Sequence, residues 1–279
     1  MRMPACWPRG LRWSRGLCSS NPAFQDLSVR ITGRRADLTL NRPKVRNALR
    51  PSMLTELTEA CSWLNLQSEV RVVIIRGAGD SFCAGMDVGA GMDVTDHHAL
   101  GKLGFDMAAA VESLDAIAIA ACTGHVVGGG MVLASACDLR VASDDVKFSL
   151  PEVALGVPLT WGGTHRLLMD LGLAKCKELI LTGRAMRAAE AHACGFINAR
   201  AGSHEQLSGI VDDLAGAIAS RPRHAVTLTK RGANAIAARM VGLEAAAYSD
   251  ASVLAAGMGD AEGQQAREAY VAALHAKRG

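Results

Sequence analysis

The β-branched run at Val70–Ile75 gives way to a polar, Gly-containing stretch, and the same change from apolar run to loop recurs at Ile117–Cys122 and Leu139–Ala142. Short apolar runs of this kind read as strands buried on both faces. Ahead of them, Leu27–Ile31 and Ala36–Leu40 read as a hairpin around Gly33-Arg34-Arg35, ended by Asn41-Arg42-Pro43-Lys44. Pro51-Ser52 then opens a helix, with Leu54, Leu57, Cys61 and Leu64 at helical spacing. Further helices are expected from about His98 to Leu114 and over Gly130–Ala136. Beyond Gly162 the pattern is helical, over about 163–171, 174–181, 187–193, 205–220, 223–239, 242–256 and 260–275. Strands alternate with helices first and helices alone follow. That order predicts an α/β core over 23–200 and a helical C-terminal part over 201–279.

Composition narrows the class. Hydrophobic residues make up 49% of the 279 and charged residues 20%, which describes a folded globular chain. Between Asp115 and Asp138 lie 22 residues without an acid, Lys or Arg, the length of a membrane helix. Gly128-Gly129-Gly130 interrupt them, and glycines inside a helix cost roughly 1 kcal/mol each relative to Ala. The stretch therefore reads as a buried strand, a Gly-rich turn and a buried helix, with no membrane span. The net charge is +3, and four arginines (Arg2, Arg9, Arg12, Arg15) lie in the acid-free first 22 residues. What remains is close to neutral, which argues against a nucleic-acid partner. The eight cysteines form no Cys-x-x-Cys pair, a usage that suits a reducing compartment. No His/Cys/acid cluster has ligand spacing, so no metal is expected, and no nicotinamide fingerprint follows the first strand.

Candidate chemistry gathers in three loops at the ends of the apolar runs, where α/β folds collect ligands. They are Ser81-Phe82-Cys83-Ala84-Gly85-Met86-Asp87, Thr123-Gly124-His125-Val126-Val127-Gly128-Gly129-Gly130, and Phe148-Ser149-Leu150-Pro151-Glu152-Val153-Ala154-Leu155-Gly156. The triple glycine opens an apolar helix, where bare backbone N–H groups can hold an oxygen that gains negative charge. In order and spacing these loops resemble the crotonase (enoyl-CoA hydratase/isomerase) superfamily. Asn41–Lys44 with Asn47-Ala48-Leu49, Cys137-Asp138-Leu139-Arg140, Gly162–Leu167, Leu181-Thr182-Gly183, Glu190-Ala191 and Gly195-Phe196 extend the likeness from about Leu27 to Arg278.

The resemblance implies a core of β-β-α units, a helical trimerisation part, homo-trimers that pair into hexamers, and an acyl-CoA thioester as substrate with no separate cofactor. It implies an oxyanion hole from the backbone N–H groups of Met86 and Gly129. It further implies CoA contacts at Arg42, Lys44, Arg46, Ala48 and Lys277, and loop-fixing roles for Asp87 and Asp138 through bonds to nearby backbone N–H groups. One departure bears on the reaction. Hydratases of the family carry two catalytic glutamates; here the second is Glu152, and the first position is Val132. Hydration divides acid and base work between two carboxyls, whereas a single carboxyl suits a proton shuttle. Glu152 is therefore expected to be the catalytic residue of a double-bond isomerase, with its pKa raised by apolar surroundings. A hydratase of fatty acid β-oxidation, or a non-catalytic acyl-CoA-binding protein of the same fold, stays open beside it. His97, His98, His125 and His165 are candidate replacements for the missing acid, each with a structural role as the simpler reading. Val132 and Trp161 are expected to line the acyl pocket, and the 88–100 loop its path. The first 22 residues read as a transit-like segment or a start-site extension. Arg outnumbers Lys 23 to 7, the bias of a GC-rich bacterial gene, so a bacterial cytoplasmic location is expected, with the mitochondrial matrix as the alternative.

Overall fold

A computed structural model describes residues 22–87, 96–241 and 243–276. The proposed leader over 1–22 (all but its last residue), most of the 88–100 loop, and Lys277 lie outside the described residues. Strands β1 (Leu27–Thr32) and β2 (Arg35–Leu40) form the expected hairpin, and α1 (Pro51–Asn65) follows. The apolar run becomes β3 (Val72–Gly77), shifted two residues from the expected bounds. Next come α2 (His97–Glu112), β4 (Ile117–Cys122), β5 (His125–Val127), α3 (Gly129–Ser135), β6 (Leu139–Ser143) and β7 (Lys147–Ser149). The remainder is α4 (Gly163–Thr182), β8 (Met186–Arg187), α5 (Ala188–Ala193), β9 (Ala199–Ala201), α6 (His204–Ala219), α7 (Arg223–Val241), α8 (Leu243–Met258) and α9 (Ala261–Ala276).

Two sheets organise these elements. The larger has the order β1-β2-β3-β4-β6-β9, parallel apart from the hairpin. The smaller has the order β5-β7-β8. Twice the chain leaves a strand of the large sheet (β4, β6) and runs at once into one of the small sheet (β5, β7). Buried residues of β3 alternate as a strand requires. Val73 and Ile75 face the core under α1, α2 and α3, while Val72 and Ile74 face Leu207, Val211 and Ala215 of α6. The sheet is thus covered on both faces, with α6 packed on the second in an apolar cluster of its own. The uncharged 22-residue stretch divides into β4, β5 and α3, and no helix among the described residues is long and apolar enough to cross a membrane.

Candidate active site

The three Gly-rich loops are stitched together by backbone hydrogen bonds. Phe82 and Cys83 N–H donate to Thr123 and His125 carbonyls at 2.9 Å each, and Val127 N–H donates to Cys83 O at 3.0 Å. Gly128 N–H then donates to Ser149 O at 2.9 Å, which ties in the third loop. The segments expected to be plain loops at 125–127 and 147–149 are therefore short strands, a correction to the sequence reading. On the other side, Leu49 N–H donates to Gly85 O at 2.7 Å and Asp87 N–H to Leu49 O at 2.8 Å. Asn47 is fully buried and pins the corner: its Nδ2 donates to Ala78 O and Ser81 O at 2.9 and 2.8 Å, and its Oδ1 accepts from Arg42 N–H at 2.9 Å.

This arrangement brings Gly85, next to Met86, against the Val127–Gly129 backbone. Gly85 takes φ +85, and a Cβ on it would stand 2.6 Å from Val127 O, so only glycine permits the approach. Among the described residues neither the Met86 nor the Gly129 N–H has a protein acceptor, and both residues border one cavity of about 460 Å³. Helix α3 behind Gly129 is only seven residues long, so the bare N–H groups matter here more than a helix field.

Glu152 borders the same cavity, at the start of a single 3-10 turn, Val153–Leu155, whose N–H groups its side chain does not cap. The residue touches the cavity, but protein surrounds its carboxyl. Gly128 (φ +52) lies so close that a Cβ there would come 2.6 Å from Glu152 Oε1, and Oε2 has no hydrogen-bond partner. Desolvation pushes the carboxyl up to about 7, with a smaller opposing effect from its own backbone N–H. Val132 borders the cavity as well and is buried, so the expected aliphatic replacement does face the site.

The other sequence candidates fall into two groups. Arg46 and Ala48 border the cavity and Lys44 is exposed nearby, but Arg42 does not reach it. The Arg42 guanidinium turns inward, donating to Ala48 O at 2.5 Å and Asp87 Oδ2 at 2.9 Å. In this position Arg42 braces its own loop, with an opposite charge within the fold beside it. Asp87 is held by that guanidinium, and Asp138 accepts from Ala118 N–H at 2.7 Å and also from Lys230 Nζ at 2.7 Å. His97 and His125 border the cavity; His98 and His165 do not. Burial, then Arg46 and Lys147, lower the His125 pKa, and burial with Arg166 pushes His165 down to about 4. Trp161 borders the cavity with φ +61.

Sequence reasoning missed what the C-terminal helices deliver. Helix α9 packs on the 153–155 turn: Gly156 and Gly263 are in backbone contact, and Arg267 donates to Met258 O at 2.8 Å and to Gly257 O at 3.3 Å. One turn further, Tyr270 and Val271 enter the cavity wall. Burial, and then the charge of Glu152, raise the Tyr270 pKa. No local pattern marks these residues, since only the folding-back of α9 makes them neighbours of Glu152.

Comparison with known proteins agrees with this geometry. The family model described as enoyl-CoA hydratase/isomerase matches residues 33–277. The chain belongs to the enoyl-CoA hydratase/isomerase family. Its relatives include a crotonyl-CoA hydratase of Syntrophomonas wolfei, 36% identical over 76% of this chain and 82% of the relative. A short-chain-enoyl-CoA hydratase of Clostridium acetobutylicum is also 36% identical, over 72% of this chain and 78% of the relative. Among solved structures, an enoyl-CoA hydratase from Bacillus anthracis superposes with TM-score 0.72 at 31% identity, covering 81% of this chain and 90% of its own. An enoyl-CoA hydratase from Mycobacterium avium subsp. paratuberculosis shares the fold at TM-score 0.80 and 23% identity, covering 89% and 96%. The crotonase-type α/β architecture expected from the three loops is therefore the one this family member has.

Proposed function

We propose that this family member is an enoyl-CoA double-bond isomerase of fatty acid metabolism, working through a thioester enolate with Glu152 as its proton carrier. The supporting observation is one desolvated carboxyl on the cavity, its Oε2 without a hydrogen-bond partner, together with aliphatic Val132 lining the same cavity. The thioester oxygen of a 3-enoyl-CoA rests on the Met86 and Gly129 N–H groups. Ionised Glu152 takes a proton from C2, and the C–H electron pair moves toward the carbonyl, giving an enolate conjugated with C3=C4. Glu152 then returns the proton to C4: the C3=C4 pair forms the new C4–H bond, the enolate C1=C2 pair moves to C2=C3, and the carbonyl reforms. Atoms and charge balance with no water added. A pKa of about 7 equips the group for both halves, because base and acid forms are both populated at neutral pH. Each oxyanion donor is worth about 2.7–4 kcal/mol where such donors have been removed.

In this reading Arg46, Ala48 and Lys44 receive the CoA portion, with Lys277, and coenzyme A enters only as part of the substrate. Assembly as a homo-trimer or hexamer belongs to the proposal; exposed Leu228, Ile236 and Met240 on α7 supply an apolar face for it, and light scattering of the purified protein tests it. A second reading, hydration, is favoured by the names of the relatives at 36% identity. It requires a further acid–base group on the cavity, and Asp87, His97, His125 and Tyr270 border it.

Parallel assays with a 3-enoyl-CoA and a 2-trans-enoyl-CoA decide between the readings. Gain of conjugated thioester absorbance at unchanged mass supports isomerisation. Loss of conjugation with added water identifies a hydratase. Bound esters with no turnover of either substrate point to a non-catalytic binder. Glu152→Gln is expected to abolish turnover while CoA esters still bind, and unchanged turnover removes Glu152 from the mechanism.

A further inference from the structure

Trp161 holds a backbone conformation that bulky residues avoid, with φ +61, and such strain persists only where the surroundings over-determine it. The neighbouring Gly162 N–H donates to Asp250 Oδ2 of α8 at 2.6 Å, and the Trp161 N–H is directed at the same carboxylate. Arg166 clamps the turn from the other side, donating to Gly162 O at 2.9 Å while pairing with Glu112 of α2. The indole lies between two bare backbone surfaces. A Cβ on Gly104 of α2 would stand 2.1 Å from the ring, and a Cβ on Gly129 of α3 would stand 2.4 Å from it. Helix α8 is itself seated on α2, where Gly101 meets Ala251. The ring is 6% exposed and plugs the gap between α2 and α3, beside the residue that offers an N–H to the thioester oxygen.

We propose that Trp161, held by Asp250, is the end wall of the acyl pocket and confines the substrate to short acyl chains. The inference rests on the acyl-CoA reading above. A chain attached to a carbonyl at Gly129 meets the indole within a few carbons, in a cavity that Leu254 and Met258 of α8 also line. Each methylene that finds no apolar lodging forfeits about fourfold in affinity. Trp161 is the specificity-determining residue and Asp250 is a positioning residue that acts through it.

The test uses the full chain and saturated acyl-CoAs of four to twelve carbons, which bind without reacting, measured by calorimetry beside turnover of matching 3-enoyl-CoAs. The four-carbon ester is expected to bind the unaltered protein at least as tightly as the ten-carbon ester, whose added methylenes find no burial beyond the wall. Trp161→Ala shifts that ratio toward the ten-carbon ester. Asp250→Ala moves it in the same direction, while Asp250→Asn, which keeps an acceptor for the Gly162 N–H, stays near the starting ratio. Asp250→Ala also carries the test if Trp161→Ala does not fold. A ratio shared by the unaltered protein and both alanine variants overturns the proposal, as does an unaltered protein that prefers ten carbons. Expected ratios without turnover of 3-enoyl-CoA leave the wall in place and defeat the isomerase reading. Failure of every ester to bind defeats both.

Discussion

Replacing Glu152 by Gln is expected to stabilise the fold while removing its chemistry. Folding lifts the Glu152 carboxyl from the ordinary 4.5 to about 7, chiefly by desolvation. The folded state thus resists ionisation that the unfolded chain accepts freely. The resulting penalty is absent below pH 4.5, grows as pH rises, and levels off once pH passes the folded value near 7. For a shift of this size the penalty is about 1 kcal/mol at pH 5 and about 3 kcal/mol at pH 8. Glutamine is nearly isosteric, keeps the contact with Gly128 and carries no proton to lose. The stability gained by Glu152→Gln therefore grows by about 2 kcal/mol between pH 5 and pH 8. Urea unfolding of both proteins at the two pH values, at one fixed protein concentration, reads this directly. A stability difference that is the same at both pH values would refute the claim that Glu152 is held in a desolvated, raised-pKa state.

Four further outcomes are expected. If ionised Glu152 is the base, kcat/KM falls about tenfold per pH unit below roughly pH 7 and is flat just above it, as a pH–rate profile will record. Gly128→Ala forces a Cβ to 2.6 Å from Glu152 Oε1 at a positive φ, so turnover drops by about a hundredfold or more, at a strain of about 1–3 kcal/mol visible in the melting curve. Lys230→Met strands the buried Asp138 carboxylate that Lys230 holds at 2.7 Å, lowering stability by about 3–5 kcal/mol at neutral pH. Burial already raises the Asp138 pKa, so that deficit shrinks as the solution is acidified toward Asp138 protonation. Finally, Arg46→Ala raises KM for CoA esters and weakens its salt dependence, whereas Arg42→Ala lowers the melting temperature by loosening the Asp87 and Ala48 contacts; the reverse pattern would return Arg42 to the substrate.

Much of the scaffold was legible in residue order, because helices of four or more turns and fully buried strands leave a long periodic trace. Expected helices at 163–171 and 174–181 meet in the structure as α4, with Gly172 at φ +74 marking the break. The strands β5, β7, β8 and β9 were not legible. Each has two or three residues, too few for a period, and each exists only because a neighbour presents free N–H and C=O groups. Arg42 illustrates a second limit. A basic loop residue reads the same in sequence whether it faces phosphate or braces its own loop, and the bond of Arg42 to Asp87, 45 residues away, had no local signal.

Sequence alone determined the order of elements, the Gly-rich loops, the presence of Glu152 and the aliphatic side chain at Val132. These are local facts: residue type, spacing and the backbone freedom of glycine. Tertiary structure decided the state of Glu152, the seating of Trp161 and the closure of the cavity. Desolvation and strain are set by atoms remote in the chain: Gly128 against the carboxyl, Asp250 beneath the Trp161 turn, and Tyr270 on a helix that folds back over both. No pattern within a window of sequence encodes those distances, because the same helices docked differently would leave Glu152 an ordinary exposed acid.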